Sequence, residues 1–334
     1  MEIWVLGALG RTGRGITAEL ERRGQPVVLV GRNRERLAAT GSKFVVADGV
    51  EAMAAEIRRQ RPTVVVNTIG EYAVTAATIA RACLPGGHYV DMAADLVAVR
   101  RLLDLHDEAL AGGSTFVTGA GFGVLATEAV VAKLCEGRDT PSRVQVDALA
   151  SVATEEGAVG VALAASIVDA LTAVSARGAK PRTLVLPDGE TGKVAGVDSG
   201  ELIAAQRASG APDVTVCSGL APTAPVVRAL LPLLGRVVSI PIVRRFAVRR
   251  LAAVRTKAAP RPRAHTWGHA VVTWPGGTTR EGWLRAGEGM DFTTAVVAEV
   301  AARLARGEGK PGAHTPASAL GADLAEAAGG TFLL

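Results

Sequence analysis

The sequence predicts an α/β protein with an N-terminal doubly wound parallel sheet and an inserted α+β domain containing antiparallel strands. Three observations predict it. Short β runs alternate with helical patterns from residue 3 to about residue 118, and a glycine-rich turn joins the first run directly to the first helix. Beyond residue 140 the pattern changes, ending in two runs that flank Pro275-Gly276-Gly277, a hairpin signal that belongs to an antiparallel sheet. At 334 residues the chain exceeds the size at which single cores split. The expected division is 1–124, 125–290 and C-terminal helices over 291–334.

The first strand, Ile3 to Leu6, breaks into Gly7-Ala-Leu9-Gly10-Arg11-Thr12-Gly13 and passes into the helical pattern of Ile16 and Leu20. In a Rossmann-type βαβ unit the three glycines permit a tight turn, close approach of backbone to a pyrophosphate, and close packing of helix on strand. The free N–H groups of the helix start attract the phosphates. Gly7, Leu9, Gly10, Arg11, Thr12 and Gly13 are therefore expected to hold a dinucleotide. The second strand, Pro26 to Val30, ends in Gly31-Arg32-Asn33-Arg34-Glu35-Arg36. NAD sites carry an acid at this strand end for the ribose hydroxyl, whereas arginine suits a 2′-phosphate. Arg32 stands there, with Asn33 beside it, so NADP is favoured over NAD. The competing reading is a solvated turn in a chain that prefers arginine to lysine throughout.

Strands follow at Phe44 to Ala47, Thr63 to Asn67, His88 to Met92 and Thr115 to Thr118, with helices from about Val50 and about Ala73. Ligands of such sheets bind at the carboxyl ends of the strands, so the loops from Asp48, Asn67, Asp91 and Gly119 are where chemistry is expected. Asp48 would border the adenine; Asn67, Thr68 and Gly70 would border the ribose and nicotinamide. In the second region Val144 to Leu149 alternates, Gly157 to Val174 reads as a long helix and Thr183 to Leu186 as a short strand. The runs His265 to Trp274 and Thr278 to Leu284 form the hairpin. A helix at about 291–306 and another capped by Thr315 with Pro316 in its first position complete the chain.

Composition narrows the classes. Hydrophobic content of 49% with 21% charged residues describes a soluble globular protein. Cys83, Cys135 and Cys217 form no Cys-x-x-Cys pair, so neither a disulfide framework nor a zinc site is indicated. The first strand starts too early for a secretory leader, and a reducing cytoplasm is expected. No acid occurs between Asp213 and Glu281, a span with 11 basic residues; against a net charge of +5 this leaves −6 for the remainder. Prolines and arginines within 226–243 argue against a membrane-crossing helix. The basic stretch could face an acidic carrier protein, an anionic substrate or a membrane surface, or be a solvated face, since Arg244, Arg245, Arg249, Arg250 and Arg255 spread over a wide helical arc. Nucleic acid is not expected without a recognition motif or interleaved aromatics.

Taken together, the glycine motif, Val64-Val-Val-Asn-Thr-Ile-Gly-Glu-Tyr72, His88-Tyr-Val-Asp91, Gly119-Ala-Gly-Phe-Gly123 and Gly312-Ala-His-Thr-Pro-Ala317 resemble the saccharopine dehydrogenase-like reductases, which include trans-acting enoyl reductases. The resemblance covers about 1–135 and 264–328. It implies a nicotinamide-binding Rossmann domain, an inserted substrate domain and a C-terminal helix returning to the first domain. The sequence departs from the family pattern at Gly70-Glu71-Tyr72, where Gly-Pro-Tyr or Gly-Pro-Phe is common, and at Gly121-Phe122-Gly123, where the family has a Gly-Phe-Asp type loop.

Hydride transfer needs the nicotinamide oriented against an electrophilic carbon and a group that supplies or removes a proton. The Tyr-x-x-x-Lys solution is absent, since Ala76 and Ala93 follow the two tyrosines at that spacing. Tyr72 is the expected proton donor, tuned by Glu71, with Asp91 as a further catalytic candidate. The alternative is that Tyr72 packs under the cofactor and Glu71 faces solvent. Asp95, Phe122 and Glu128 are assigned to the substrate side, though Glu128 could equally be a charge favoured by a helix N-terminus. His88 and His106 read as structural. The expected activity is NADP-dependent reduction of a C=N, C=C or C=O bond in a small or carrier-bound metabolite by a homodimer. The alternatives are a non-redox cyclase or synthase on the same fold and a nonenzymatic NADP sensor.

Overall fold

A computed structural model describes residues 2–154, 156–160, 164–165, 167–168, 179–224, 227, 235, 237–238 and 240–334. Contacts divide the chain into two units, residues 1–125 with 290–330, and residues 126–289 with 331–334.

The first unit alternates as its periodicity dictates: β1 (Ile3–Leu6), α1 (Arg11–Arg22), β2 (Val27–Gly31), α2 (Arg34–Ala38), β3 (Phe44–Val46), α3 (Val50–Gln60), β4 (Val64–Asn67), α4 (Tyr72–Ala82), β5 (His88–Asp91), α5 (Leu96–Leu103), α6 (His106–Ala111), β6 (Thr115–Val117) and α7 (Phe122–Cys135), which runs on into the second unit. Ile-Trp-Val-Leu of β1 and Val64 to Val66 of β4 are buried on both faces, as the unbroken apolar runs of a parallel sheet require. The strand order is β3-β2-β1-β4-β5-β6, all parallel. The order reverses between β1 and β4, and there the loops carrying Gly7 to Gly13 and Asn67 to Glu71 leave the sheet side by side.

The second unit holds β7 (Arg143–Leu149), β8 (Gly157–Ala158), β9 (Arg182–Val185), β10 (Thr191–Gly196), α8 (Gly200–Ser209), β11 (Asp213–Ser218), α9 (Pro241–Ala252), β12 (Arg255–Thr256), β13 (Thr266–Thr273) and β14 (Thr279–Ala286). The chain then passes through α10 (Gly289–Ala305), β15 (Gly312–His314), α11 (Pro316–Leu320), α12 (Leu324–Ala327) and β16 (Thr331–Leu333). A mixed sheet runs β16-β14-β13-β7-β11-β10-β9, in which β7 and β11 are parallel and every other pair is antiparallel. Gly268 of β13 lies so close to Ala126 of α7 that an added Cβ would stand 2.7 Å from the alanine methyl. This close approach seats one face of the sheet on α7.

Several elements differ from the sequence expectation. The parallel sheet has a seventh strand, β15, beside β6; three residues are too few to show a period. Elements β10 and α8 carry mixed small and polar residues and give no clean alternation, and β11 alternates only over Asp213 to Val216, too short a run to stand out. The long helix expected over 157–174 begins with a strand, since Gly157 and Ala158 pair with β12; most of its remainder lies outside the described residues. Most of 226–239 does too. Thr315 occupies the N-cap of α11 with Pro316 behind it, but its side chain makes no capping bond. The last strand, β16, pairs with β14 in the second unit and leaves the preceding C-terminal elements in the first. Among the described residues no helix is long and apolar enough to cross a membrane.

Candidate functional site

The glycine turn is built so that only glycine fits. Gly7 has φ +74°, and a Cβ on it would lie 2.9 Å from the Thr68 hydroxyl. A Cβ on Gly13 would collide with the Gly7 carbonyl oxygen and lie 2.8 Å from the Ala8 Cα. The turn is closed by Gly10 N–H donating to the Gly7 carbonyl (2.8 Å), and the Arg14 guanidinium donates to the Leu9 carbonyl (2.8 Å). Gly10 is the N-cap of α1, so no side chain caps this helix, and its first turn holds no acid. Arg11 and Thr12 occupy that turn, partly buried. An uncapped helix start behind a glycine cradle offers backbone N–H groups and a positive dipole end to an anion. These residues fit a dinucleotide pyrophosphate.

Arg32 follows the last residue of β2 and is exposed. Asn33, expected at the cofactor, is instead engaged as the N-cap of α2, where its side-chain oxygen accepts from Arg36 N–H (2.9 Å). Local capping thus uses the acceptor that a ribose would need. Asp48 is exposed just after β3, next to Gly49 at the N-cap of α3.

The loop after β4 is held from below. Asn67 is fully buried: its amide donates to the Tyr89 hydroxyl (3.0 Å), and its oxygen accepts from Ile69 N–H (3.1 Å). Thr68 ties the loop to β1 through its hydroxyl and the Leu6 carbonyl (2.7 Å). The Gly70 carbonyl accepts from the Thr75 hydroxyl (2.9 Å). The side chains of Asn67 and Thr68 thus shape the loop. Beneath them lies Asp91, completely buried at the end of β5. One carboxylate oxygen accepts from the Tyr89 hydroxyl (2.9 Å); the other accepts from the Thr118 hydroxyl (2.8 Å), Ala93 N–H (3.0 Å) and Gly119 N–H (3.3 Å). Burial pushes the Asp91 pKa up against these donors, which hold it down. Such a carboxylate organises the strand ends through Tyr89 and Thr118, while Thr75 holds the Gly70 carbonyl; spacing did not single out any of the three.

Tyr72 opens α4 and is partly buried. Burial, and after it the negative charge of Asp91, push its pKa well up. The phenol stays protonated at any working pH, able to donate a hydrogen bond but a reluctant acid. Glu71 is exposed and sits at the N-cap with φ +46° and ψ +46°, a left-handed conformation that a side chain adopts at a cost. Proline, locked near φ −65°, could not occupy this backbone. The departure from the Gly-Pro-Tyr pattern is therefore a different loop shape as well as a different side chain.

The substrate-side candidates fall into structural places. Asp95 caps α5, its carboxylate accepting from Ala98 N–H (2.8 Å). Phe122 is buried edge-on against Phe292, with ring centroids 6.3 Å apart, and its N–H donates to the Thr293 hydroxyl (3.1 Å). Glu128 is buried within α7 in the second unit. His88 accepts from Thr115 N–H (3.0 Å), and burial lowers its pKa. The His106 Nδ1 accepts from Ala313 N–H (3.2 Å).

The second unit carries a charged cluster not foreseen from spacing. Asp147 of β7, fully buried, receives both 2.6 Å bonds from one Arg182 nitrogen and lies 2.7 Å from Nδ1 of His269 on β13. The other nitrogen of His269 is 2.9 Å from Glu281 of β14, and the ring stacks on Trp283 at 3.9 Å. A charged residue at position 147 between the apolar Val146 and Leu149 was the one available signal.

No protein-family model matches the sequence, and no curated protein matches it. Solved structures do. A probable dehydrogenase from Thermotoga maritima aligns over 98% of this chain and 94% of its own, with 12% identity and a TM-score of 0.44. The apo saccharopine dehydrogenase (L-Glu forming) of Saccharomyces cerevisiae aligns over 100% of both chains, with 12% identity and a TM-score of 0.59. The chain therefore has a saccharopine dehydrogenase-like fold along its whole length.

Proposed function

We propose that the protein is an NADP-dependent oxidoreductase that reduces a C=N, C=C or C=O bond of a small or carrier-bound metabolite. The observation that carries this reading is the glycine cradle at the strand-order reversal, where Gly7 and Gly13 have no room for a side chain and α1 starts uncapped. Arg32, exposed at the end of β2 where NAD sites place an acid, favours NADP. The fold shared with a dehydrogenase agrees with the reading.

When bound, the nicotinamide supplies hydride. The rest is done by the chain. The amides at the start of α1 bind the pyrophosphate, and the Arg32 guanidinium holds the 2′-phosphate. Thr68 and Asn67 fix the loop that borders the nicotinamide ribose. With a C=O or C=N substrate the Tyr72 hydroxyl would donate a hydrogen bond to the reacting oxygen or nitrogen and give it the proton once hydride arrival makes that atom strongly basic. With a C=C substrate the proton would go to the carbon beside the one that takes hydride. Asp91 acts as a positioning residue that aligns the loops after β4, β5 and β6.

The test is a fluorescence titration with NADPH and NADH, followed by turnover with candidate carbonyl, imine and enoyl substrates. Arg32→Ala is expected to weaken NADPH by about 1.5–3 kcal/mol with little change for NADH; equal weakening of both removes the 2′-phosphate role. Tyr72→Phe is expected to lower kcat while leaving NADPH affinity intact, and unchanged turnover removes it as donor. If NADPH binds but gives up no hydride to any substrate class, the oxidoreductase reading falls.

A further inference from the structure

We propose that the outer face of α9 is a docking surface for an anionic lipid membrane. At 100° per residue, Ile242 and Phe246 lie 40° apart on one side of this helix. They are 77% and 60% exposed, large values for residues of this kind. Arg245 and Arg249 flank them on one side and Arg250 on the other, all exposed. The Arg250 guanidinium lies 5.3 Å from the Phe246 ring centroid. The opposite side is already occupied: Val248 is buried with Ala164, Ala165 and Val168, and Leu251, Ala247 and Ala252 pack against that cluster. The helix thus has an inner apolar face that builds the fold and a second, outer apolar strip bordered by cations.

Charge selects the occupant. The stretch from 214 to 280 contains 11 basic residues and no acid, and Arg245, Arg249 and Arg250 lie exposed beside the apolar strip. A second copy of the chain would bring arginine against arginine. A plane of lipid phosphates meets both flanks at once, while the acyl boundary takes Ile242 and Phe246, and the long arginine stems let the charges stay at phosphate level. This proposal does not depend on the cofactor reading.

The test is sedimentation of the intact protein with vesicles of phosphatidylcholine alone and of phosphatidylcholine containing phosphatidylserine. The expected result is partition at least about tenfold stronger into the anionic vesicles, weakened by salt. Arg249→Gln with Arg250→Gln is expected to reduce it about thirtyfold, as two lost contacts of about 1 kcal/mol each require. Ile242→Ser with Phe246→Ser is expected to reduce it about tenfold or more. NADPH affinity, read on the same variants, stays unchanged. Both pairs are exposed; should the serine pair fail to fold, the arginine pair decides. Equal partition into both vesicles, no partition, or partition indifferent to the arginine pair overturns the proposal. Retention on immobilised polyglutamate without vesicle binding overturns it in favour of an acidic protein partner.

Discussion

Asp91 in the first unit and Asp147 in the second are both completely buried, yet they are stabilised by opposite means. Asp91 is surrounded by neutral donors, two hydroxyls and two backbone N–H groups. Asp147 is matched by the Arg182 guanidinium and by His269. A cage of dipoles solvates a carboxylate without neutralising it, so burial still lifts the Asp91 pKa. A guanidinium compensates charge directly, but each partner left behind becomes a liability if the other is lost. The first arrangement suits the strand ends of a binding site, where a residual negative charge also acts on Tyr72. The second suits a sheet face that has to be locked.

The largest effect that would test this contrast is on stability. Asp147→Asn is expected to lower the unfolding free energy by about 3–5 kcal/mol, because it leaves the partly buried Arg182 guanidinium without its carboxylate partner. Asp91→Asn, which retains an acceptor for its N–H donors and removes a desolvated charge, is expected to cost only about 1 kcal/mol. Urea unfolding of the two variants reads the difference directly, and equal losses would erase the distinction.

A smaller effect sharpens it through pH. The folded pKa of Asp91 is raised above its ordinary 3.8, so the folded state holds this proton to higher pH than the unfolded state does. Its contribution to stability is therefore present at low pH and is lost as pH rises from about 4 through the folded pKa. Asp91→Asn should flatten that part of the stability profile, and an unchanged slope would mean that the charge is not what the fold resists. The smallest expected effect is local. Glu71→Gly relieves a left-handed side-chain residue and is expected to stabilise by about 0.5–1 kcal/mol, with lower turnover if the strained loop shapes the site. Destabilisation would show that the Glu71 side chain holds the loop.

Much of this was legible in one dimension. Gly7, Gly10 and Gly13 announced the turn because their spacing along the chain is the signal, and the apolar runs of β1, β2 and β4 announced a sheet covered on both sides. The hairpin of β13 and β14 was equally readable from Pro275-Gly276-Gly277. Asn33 and Asp95 were less so: each is a polar residue at a strand-end loop, and the same residue type serves as ligand or as N-cap, with nothing in the spacing to separate the two. Tyr72 and Glu71 were picked out by position, but the left-handed backbone at Glu71 and the reach of Asp91 to Tyr72 are properties of the folded loop.

By itself the sequence determined what depends on neighbours along the chain: the order of strands and helices, the glycine turn, the antiparallel hairpin and the arginine at the end of β2. Tertiary structure alone decided which distant groups meet. Asp147 and His269 are 122 positions apart and face each other only because β7 and β13 pair in that register. Asp91 gathers its donors from β5 and from the loops after β5 and β6. Local periodicity assigns a residue to a face of its own element; cross-strand register assigns it a partner, and register is set by the packing of the whole sheet.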